Sequence, residues 1–365
     1  MKKVSVYVKG DRNSTAYYRI YQYLDKIEGI SCEYHTMMSS EMQHKYMPVS
    51  KRPIFIKIWV YIHIYFRMLA SLVRDFFCLP DVLVVHRRII SRYMPFSFRV
   101  LLLGIVKRGV PLIWDFDDHI INNGEVSKAT FNLYAKYAEH IIVTHDYLKS
   151  LVPEMYQCKV RILPTTDGDM YRLFQAGDIN NNRVETLKFG RINMVWVATS
   201  VNLKYLEGIV GELDRAAYQL KELHDKILCL KVICDAPLDA KCNYLQVENI
   251  KWTRDAAIRG MSESHIGIMP LENTVFTRGK GGFKLVQYLS IGLPCIGSDV
   301  GFNHNVISSN CGFLIDIEHP EEWRDAILQL CEVKVWEKYS EEAFKQWLSY
   351  FSYEKNLVFW SNLLD

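Results

Sequence analysis

The sequence has no Cys-x-x-Cys pair and no cysteine–histidine cluster with zinc spacing. Its nine cysteines fall at irregular intervals, several in apolar settings such as Ile233-Cys234 and Pro294-Cys295-Ile296. An odd number of scattered cysteines argues against a disulfide framework. It points to reduced, mostly buried thiols and so to the cytoplasm. The Walker pattern G-x-x-x-x-G-K-[ST] is missing, and no repeat of solenoid period is present. There is no run of about 18 uninterrupted apolar residues of the kind that spans a bilayer. The N-terminal MKKVSVYVKG is apolar only for a strand's length and ends in Lys9-Gly10-Asp11-Arg12, which is not a signal peptide. Charge of one sign is also missing. With 44 Lys and Arg against 41 Asp and Glu, the net charge of +3 does not argue for nucleic acid as a partner, which needs a concentrated basic patch.

What is present is a chain of 365 residues, long enough for two domains, with 49% hydrophobic residues. Short apolar runs alternate with helical stretches, one of them from Leu203 to Leu223. Val4–Val8, Asp81–His86, Pro111–Trp114, His140–Thr144 and Val160–Leu163 read as strands of a first half. The polar GDINNNRVETLKFGR (177–191) reads as a linker. Asn193–Val197, Leu228–Cys234, Ile250–Trp252, Ile266–Met269, Cys295–Ser298 and Gly312–Ile315 read as strands of a second half. Continuous apolar strands that alternate with helices imply parallel sheets covered on both faces. The expectation is therefore an α/β chain of two Rossmann-like, doubly wound domains facing a central cleft. Residues 1–176 form the first domain, 177–192 the linker and 193–342 the second domain, and 343–365 is a helix crossing back to the first. Such sheets bind ligands at the carboxyl ends of their strands.

One stretch, FTRGKGGFKLVQYLSIGLPCIGSD (276–299), sets Arg278, Lys280 and Lys284 among Gly279, Gly281 and Gly282 at the entry to a helix. Glycines let a ligand approach the backbone, and a helix N-terminus with nearby cations suits an anion. A solvated loop with incidental lysines is the bland alternative. After the Asn193–Val197 strand, Thr199, Ser200 and Asn202 could hydrogen-bond phosphate. Arg19, in the first strand-to-helix region GDRNSTAYYRI (10–20), and Arg87 and Arg88, in HRRI (86–89), are candidates for the other side of the site; a surface role for Arg19 is about as plausible. His145 and His304 read as ordinary polar loop residues.

The glycine loop, the helix FKLVQYLSIG and LPCIGSDVG together resemble glycosyltransferase family 4, the retaining glycosyltransferases of GT-B fold. NMVWVATSVNLKYLE (193–207), SHIGIMPL (264–271), CGFLIDIEHPEEW (311–323), HIIVTHDYLKSLV and VRILPTTDGDMYRLF are similar to the family's flanking segments. The resemblance covers nearly the whole chain through the order of its motifs. It implies a donor site for a nucleotide-diphosphate sugar, UDP- or GDP-linked, built from Thr199, Ser200, Asn202, Arg278, Lys280, Gly282, Lys284 and Gln287. Lys280 would stabilise the diphosphate as leaving group, and no metal or other cofactor would be needed. Two departures stand out. Family members often carry two glutamates where this chain has Gly279 and Gln287, and Gln287 can hydrogen-bond a ribose only without charge.

PLIWDFDDHI (111–120) places Asp115, Asp117 and Asp118 just after a strand. A metal-binding Asp-x-Asp, the nucleophile loop of a haloacid-dehalogenase-like phosphohydrolase, and helix capping are all open readings, although His119 stands where the phosphohydrolase pattern needs Thr or Val. By the resemblance, Asp117 occupies a strand-end position where the family often has a histidine near the donor sugar. Asp117 and Asp118 are therefore the catalytic candidates, and Asp115 is read as structural.

KRPIFIKIWVYIHIYFRMLASLVRDFF (51–77) is apolar and aromatic but broken by Lys57, His63, Arg67 and Arg74. It reads as too broken to span a bilayer. It is either a helix at a membrane interface or a pair of core helices. The resulting expectation is a retaining, metal-independent glycosyltransferase of the cytoplasm, peripheral at the inner face of the cell membrane through 51–77. It would act on a glycan or lipid-linked glycan acceptor in bacterial capsule or O-antigen synthesis. The alternatives are a catalytically weakened scaffold on the same fold and, third, the phosphohydrolase.

Overall fold

A computed structural model describes residues 1–10, 15–46, 49, 52–175 and 178–365. Residues 11–14 of the first strand-to-helix loop, Lys51, and the boundary residues Ala176 and Gly177 lie outside the described residues. The chain divides into two units, Met1–Thr165 with Glu354–Asp365, and Thr166–Tyr353.

The first unit holds strands β1 (Lys2–Val8), β2 (Ile30–Thr36), β3 (Val82–His86), β4 (Leu112–Phe116), β5 (His140–Val143) and β6 (Val160–Ile162). They form one parallel sheet in the order β2-β1-β3-β4-β5-β6. Every residue of β3 and β4 is buried, as runs such as VLVVH require of a strand covered on both faces. The edge strand β2, ISCEYHT, mixes polar and apolar residues and is only partly buried, which is why no apolar run announces it. The core packs Trp114 against Phe116, Phe131 and Tyr134.

The second unit holds β7 (Arg191–Val197), β8 (Ile227–Cys234), β9 (Gln246–Lys251), β10 (Ile266–Met269), β11 (Cys295–Ser298) and β12 (Gly312–Ile315). They pair in parallel in the order β12-β11-β10-β7-β8-β9. In each unit the strand order reverses once, beside β1 and β3 in the first and beside β7 and β10 in the second. Crevices open at such switch points, at the carboxyl ends of the strands.

Four segments differ from the sequence reading. The polar segment read as a linker is largely a helix, Asp178–Lys188, in the second unit. Its polarity hides two anchors: Leu187 is buried, and the buried Arg183 donates to the carbonyls of Met261, Ser262 and Ile291. The aromatic C-terminal segment is two helices, Val333–Tyr350 and Tyr353–Leu364. Trp336 Nε1 donates to His265 O at 2.7 Å, holding the former in the second unit. Asn356 Nδ2 donates to Tyr23 Oη and Pro164 O, so only the last helix joins the first unit. The helix expected over 203–223 breaks at Gly208 into Leu203–Glu207 and Val210–His224. Finally, 54–77 is neither broken nor a pair: Ile54–Phe77 is one helix, long and apolar enough by length and composition to cross a membrane. All nine cysteines are free, and Cys229, Cys234, Cys295, Cys311 and Cys331 are buried.

Candidate functional site

In the second unit, the loops after β7 and β10 flank the switch point and carry most of the expected donor residues. After β10, Thr274 and Thr277 cap each other reciprocally and start the short helix Val275–Arg278. The chain then turns through Gly279–Gly282 into the helix Phe283–Ser290. Gly282 sits at φ 59, in the left-handed region where a Cβ is strained, and it is the N-cap of that helix. Among the described residues no side chain caps the helix at Gly282. Gly301 clamps the other side, since a Cβ there would stand 2.9 Å from the Arg278 backbone.

Each lysine of this loop donates to a side-chain amide oxygen. The Lys280 ammonium donates to the Asn202 side-chain oxygen, bridging the two loops of the switch point. It also lies 5.2 Å from the Phe276 ring centre and 5.6 Å from that of Tyr205. Asn202 is oriented by donating to Thr199 Oγ1 and O, at 3.1 and 3.3 Å. Lys284 donates to Gln287 Oε1 at 3.0 Å, and Gln287 Nε2 donates to Asp167 Oδ2 at 2.8 Å. Burial pushes the Lys284 ammonium down to about 8, with the Asp167 charge resisting and Arg254 adding to the shift. Arg254 pairs with Asp167 and Asp169 at 3.5 and 2.6 Å. Ser200 turns away, giving its N–H and hydroxyl to Asp235 at 2.6 and 2.9 Å. Arg278 is exposed at the rim.

The first unit's switch point is built with opposite partners. Arg87, buried at φ 62, donates from Nε to Asp117 at 2.7 Å, from Nη2 to Asp118 at 2.6 Å and from Nη1 to Glu125 at 2.9 Å. Lys9 adds a bond to Glu125 at 3.1 Å. Burial pulls Arg87 down, but the three carboxylates outweigh it and its pKa is raised. Burial likewise pushes Asp117 up, yet Arg87 holds it below the usual carboxylate range. Asp118 is raised, by burial first and then by the Asp117 charge. Arg88 donates to Glu125 O at 2.6 Å.

Three expectations change here. Arg19 is 1% exposed, and its guanidinium is committed to Asp115, Leu163 O and Thr165, so it is a buried counter-charge rather than an acceptor contact. Asp115 is fully buried between Arg19 and His86 Nδ1, the latter at 2.7 Å. A phosphohydrolase nucleophile must meet substrate, and Asp115 cannot. Asp115 and Asp117 accept hydrogen bonds from different arginines, Arg19 and Arg87. Arg87 and Arg88 are turned onto carboxylates and a carbonyl of their own unit, not outward.

Several participants escaped the sequence reading. Asp167 lies in TTDGD just past a strand-end proline, a position that the alternation of strands and helices could have flagged. Glu125, Asp235 and Arg254 carry no local signal and meet the site only through the fold.

The fold is that of the GT-B glycosyltransferases. Residues 206–332 match the family described as glycosyl transferases group 1. No curated protein matches in sequence. Among solved structures, Anabaena HepE in complex with UDP is 11% identical with a TM-score of 0.65, over 100% of this chain and 99% of that one. Sucrose-phosphate synthase from Thermosynechococcus elongatus is 12% identical with a TM-score of 0.63, over 100% and 98%. The α,α-trehalose 6-phosphate synthase from Burkholderia multivorans is 9% identical with a TM-score of 0.60, over 100% and 96%.

Proposed function

We propose that this chain is a retaining glycosyltransferase that moves a sugar from a nucleotide-diphosphate sugar to a glycan acceptor, without a divalent metal. The observation that carries the reading is the bridge from Lys280 to Asn202 across the second unit's switch point, beside the glycine-capped helix Phe283–Ser290. An amide oxygen orients the ammonium that donates to it without placing a negative charge at that contact. In this reading the diphosphate sits against Lys280, Lys284 and the first N–H groups of that helix. As the sugar–phosphate bond breaks, negative charge grows on the leaving phosphate, and these groups, already in place, stabilise it. Gln287, fixed by Lys284 and Asp167, offers its amide to ribose hydroxyls. Asp117 and Asp118 orient the sugar or the acceptor. Retention follows from attack on the same face as departure, with the leaving phosphate receiving the acceptor's proton. The match to glycosyl transferases group 1 supports the reading, as does the fold shared with HepE, solved with UDP. The acceptor is a growing surface glycan.

A thermal-shift panel of UDP-, GDP-, ADP- and CMP-sugars and their diphosphates, with and without EDTA, tests it. Ligands that bind the folded state raise Tm by mass action. A base-selective shift that survives EDTA and is lost in Lys280→Ala/Lys284→Ala is expected. Turnover in the presence of EDTA, with the product's anomeric configuration read by NMR, then tests transfer and retention. Binding without turnover favours the second reading, a scaffold on this fold, which rests on Gly279 and Gln287 standing where the family often has glutamates.

A further inference from the structure

We propose that the helix Ile54–Phe77 docks the first unit onto the surface of an anionic lipid bilayer, lying along it rather than crossing it. The helix is apolar on two opposite faces. Val60, Met68, Leu72 and Asp75 recur one or two helical turns apart on the buried face. Opposite them, Phe55, Trp59, Ile62, Phe66, Val73 and Phe77 recur at the same spacing, between 36% and 77% exposed. A 24-residue helix is about 36 Å long at the helical rise, so this second stripe is far longer than a scattered apolar side chain requires. It continues onto the neighbouring helix Phe96–Val106: Tyr65 Oη meets Ser97 Oγ at 3.0 Å, and next to Ser97 the Phe96 side chain is 81% exposed.

The buried face argues against crossing. Asp75 accepts from the Ser5 hydroxyl at 2.5 Å and from Tyr7 Oη at 2.7 Å, both on β1. Gly104 is packed so closely that a Cβ there would stand 2.5 Å from the Phe76 ring. Moving the helix into hydrocarbon would strand Asp75 and open the core beneath it, at the cost of a buried polar group losing its partners.

Charge picks the occupant. From Arg52 to Arg108 the chain carries ten Lys and Arg against two Asp. Asp75 is buried, and Asp81 is taken up by the Lys3 N–H at 2.6 Å. Arg67, Arg92, Lys107 and Arg108 are exposed, while the exposed Arg74 is paired with Glu33. Aromatic and aliphatic side chains rimmed by cations fit the boundary between acyl chains and anionic headgroups. This inference concerns the first unit and does not depend on the nucleotide site.

The test is flotation of the full chain with zwitterionic vesicles and with vesicles containing phosphatidylglycerol, at low and high salt, alongside alkaline carbonate extraction of cell membranes. The expected result is binding to anionic vesicles that falls by at least tenfold in Phe55→Ser/Trp59→Ser/Phe66→Ser. It should also weaken in high salt and in Lys57→Glu/Arg92→Glu, and carbonate should release the protein. The serine variant should keep its Tm and its UDP response, which separates lost docking from lost folding or a failed donor site. Three results would overturn the proposal: no anionic-vesicle binding by the wild type, undiminished binding by the serine variant, or retention in the membrane after carbonate, which means a spanning helix. A wild-type dimer that the serine substitutions dissociate, without vesicle binding, would assign the face to self-association instead.

Discussion

The two switch points use the same ingredient, a cation at the carboxyl ends of parallel strands, and give it opposite company. In the first unit Arg87 is enclosed by Asp117, Asp118 and Glu125. In the second, Lys280 is held by Asn202 and Lys284 by Gln287, both through neutral amide oxygens. Three carboxylates around one arginine leave no positive charge for an anion and fix the carboxylates rigidly. The amide contacts of the two lysines orient them without themselves supplying a counter-charge. The difference teaches that the partner of a basic residue, more than its presence, decides whether it serves structure or ligand.

The largest effect expected from breaking this contrast is in the first unit. Arg87→Met leaves three buried or half-buried carboxylates uncompensated, and breaking such an arrangement costs about 3–5 kcal/mol. Chemical denaturation should show that loss, and raising the pH from acid to neutral should deepen it. The Arg87 charge is what holds Asp117 below the usual range, so its contribution is present above that range and lost as pH falls through the depressed pKa.

Next comes Lys280→Ala, which removes the cation proposed to meet the diphosphate and should weaken UDP by about 1.5–3 kcal/mol while leaving uridine unchanged. Calorimetric titration of both ligands measures it. Smaller is Gln287→Glu, which installs the glutamate the family often carries. Here it would set a carboxylate against Asp167, where Gln287 now donates at 2.8 Å. The expected loss of stability is about 1–2 kcal/mol, recovered in Gln287→Glu/Asp167→Asn, as Tm would show.

A pH dependence is expected as well. The folded pKa of Lys284 is near 8 against an ordinary 10.5. Between those values the unfolded chain binds more protons, so this group's contribution to stability rises with pH across that window. Diphosphate affinity runs the other way: it needs the charged form and should fall as pH climbs through about 8. Lys284→Arg, charged throughout, should flatten the profile.

Much of the frame was legible in the sequence because apolar runs report strands buried on both faces, and ten of the twelve strands sit under such runs; the edge strand β9, QVENIK, has no buried residue and was met only at its end, Ile250–Lys251. β2 escaped as an edge strand with a mixed pattern. The helix Asp178–Lys188 escaped because its anchors, Arg183 and Leu187, look polar or isolated until neighbours close around them. The glycine-rich turn into the helix Phe283–Ser290 was legible from its glycines and lysines. What no local pattern could show was pairing: Arg19 with Asp115, Arg87 with Glu125, and Gln287 with Asp167, contacts made across 96, 38 and 120 residues. Arg19 looked like a ligand contact for that reason, and burial made it structural.

The most direct test of the account changes the company of a lysine without removing it. Asn202→Asp turns the amide holding Lys280 into a carboxylate and makes the second switch point resemble the first. Titration of the wild type and this variant with UDP should show at least a tenfold loss of affinity, about 1.4 kcal/mol, with uridine binding unchanged. If Asn202→Asp binds UDP as the wild type does, the neutral holder of Lys280 is irrelevant and the second unit's switch point is not the diphosphate site.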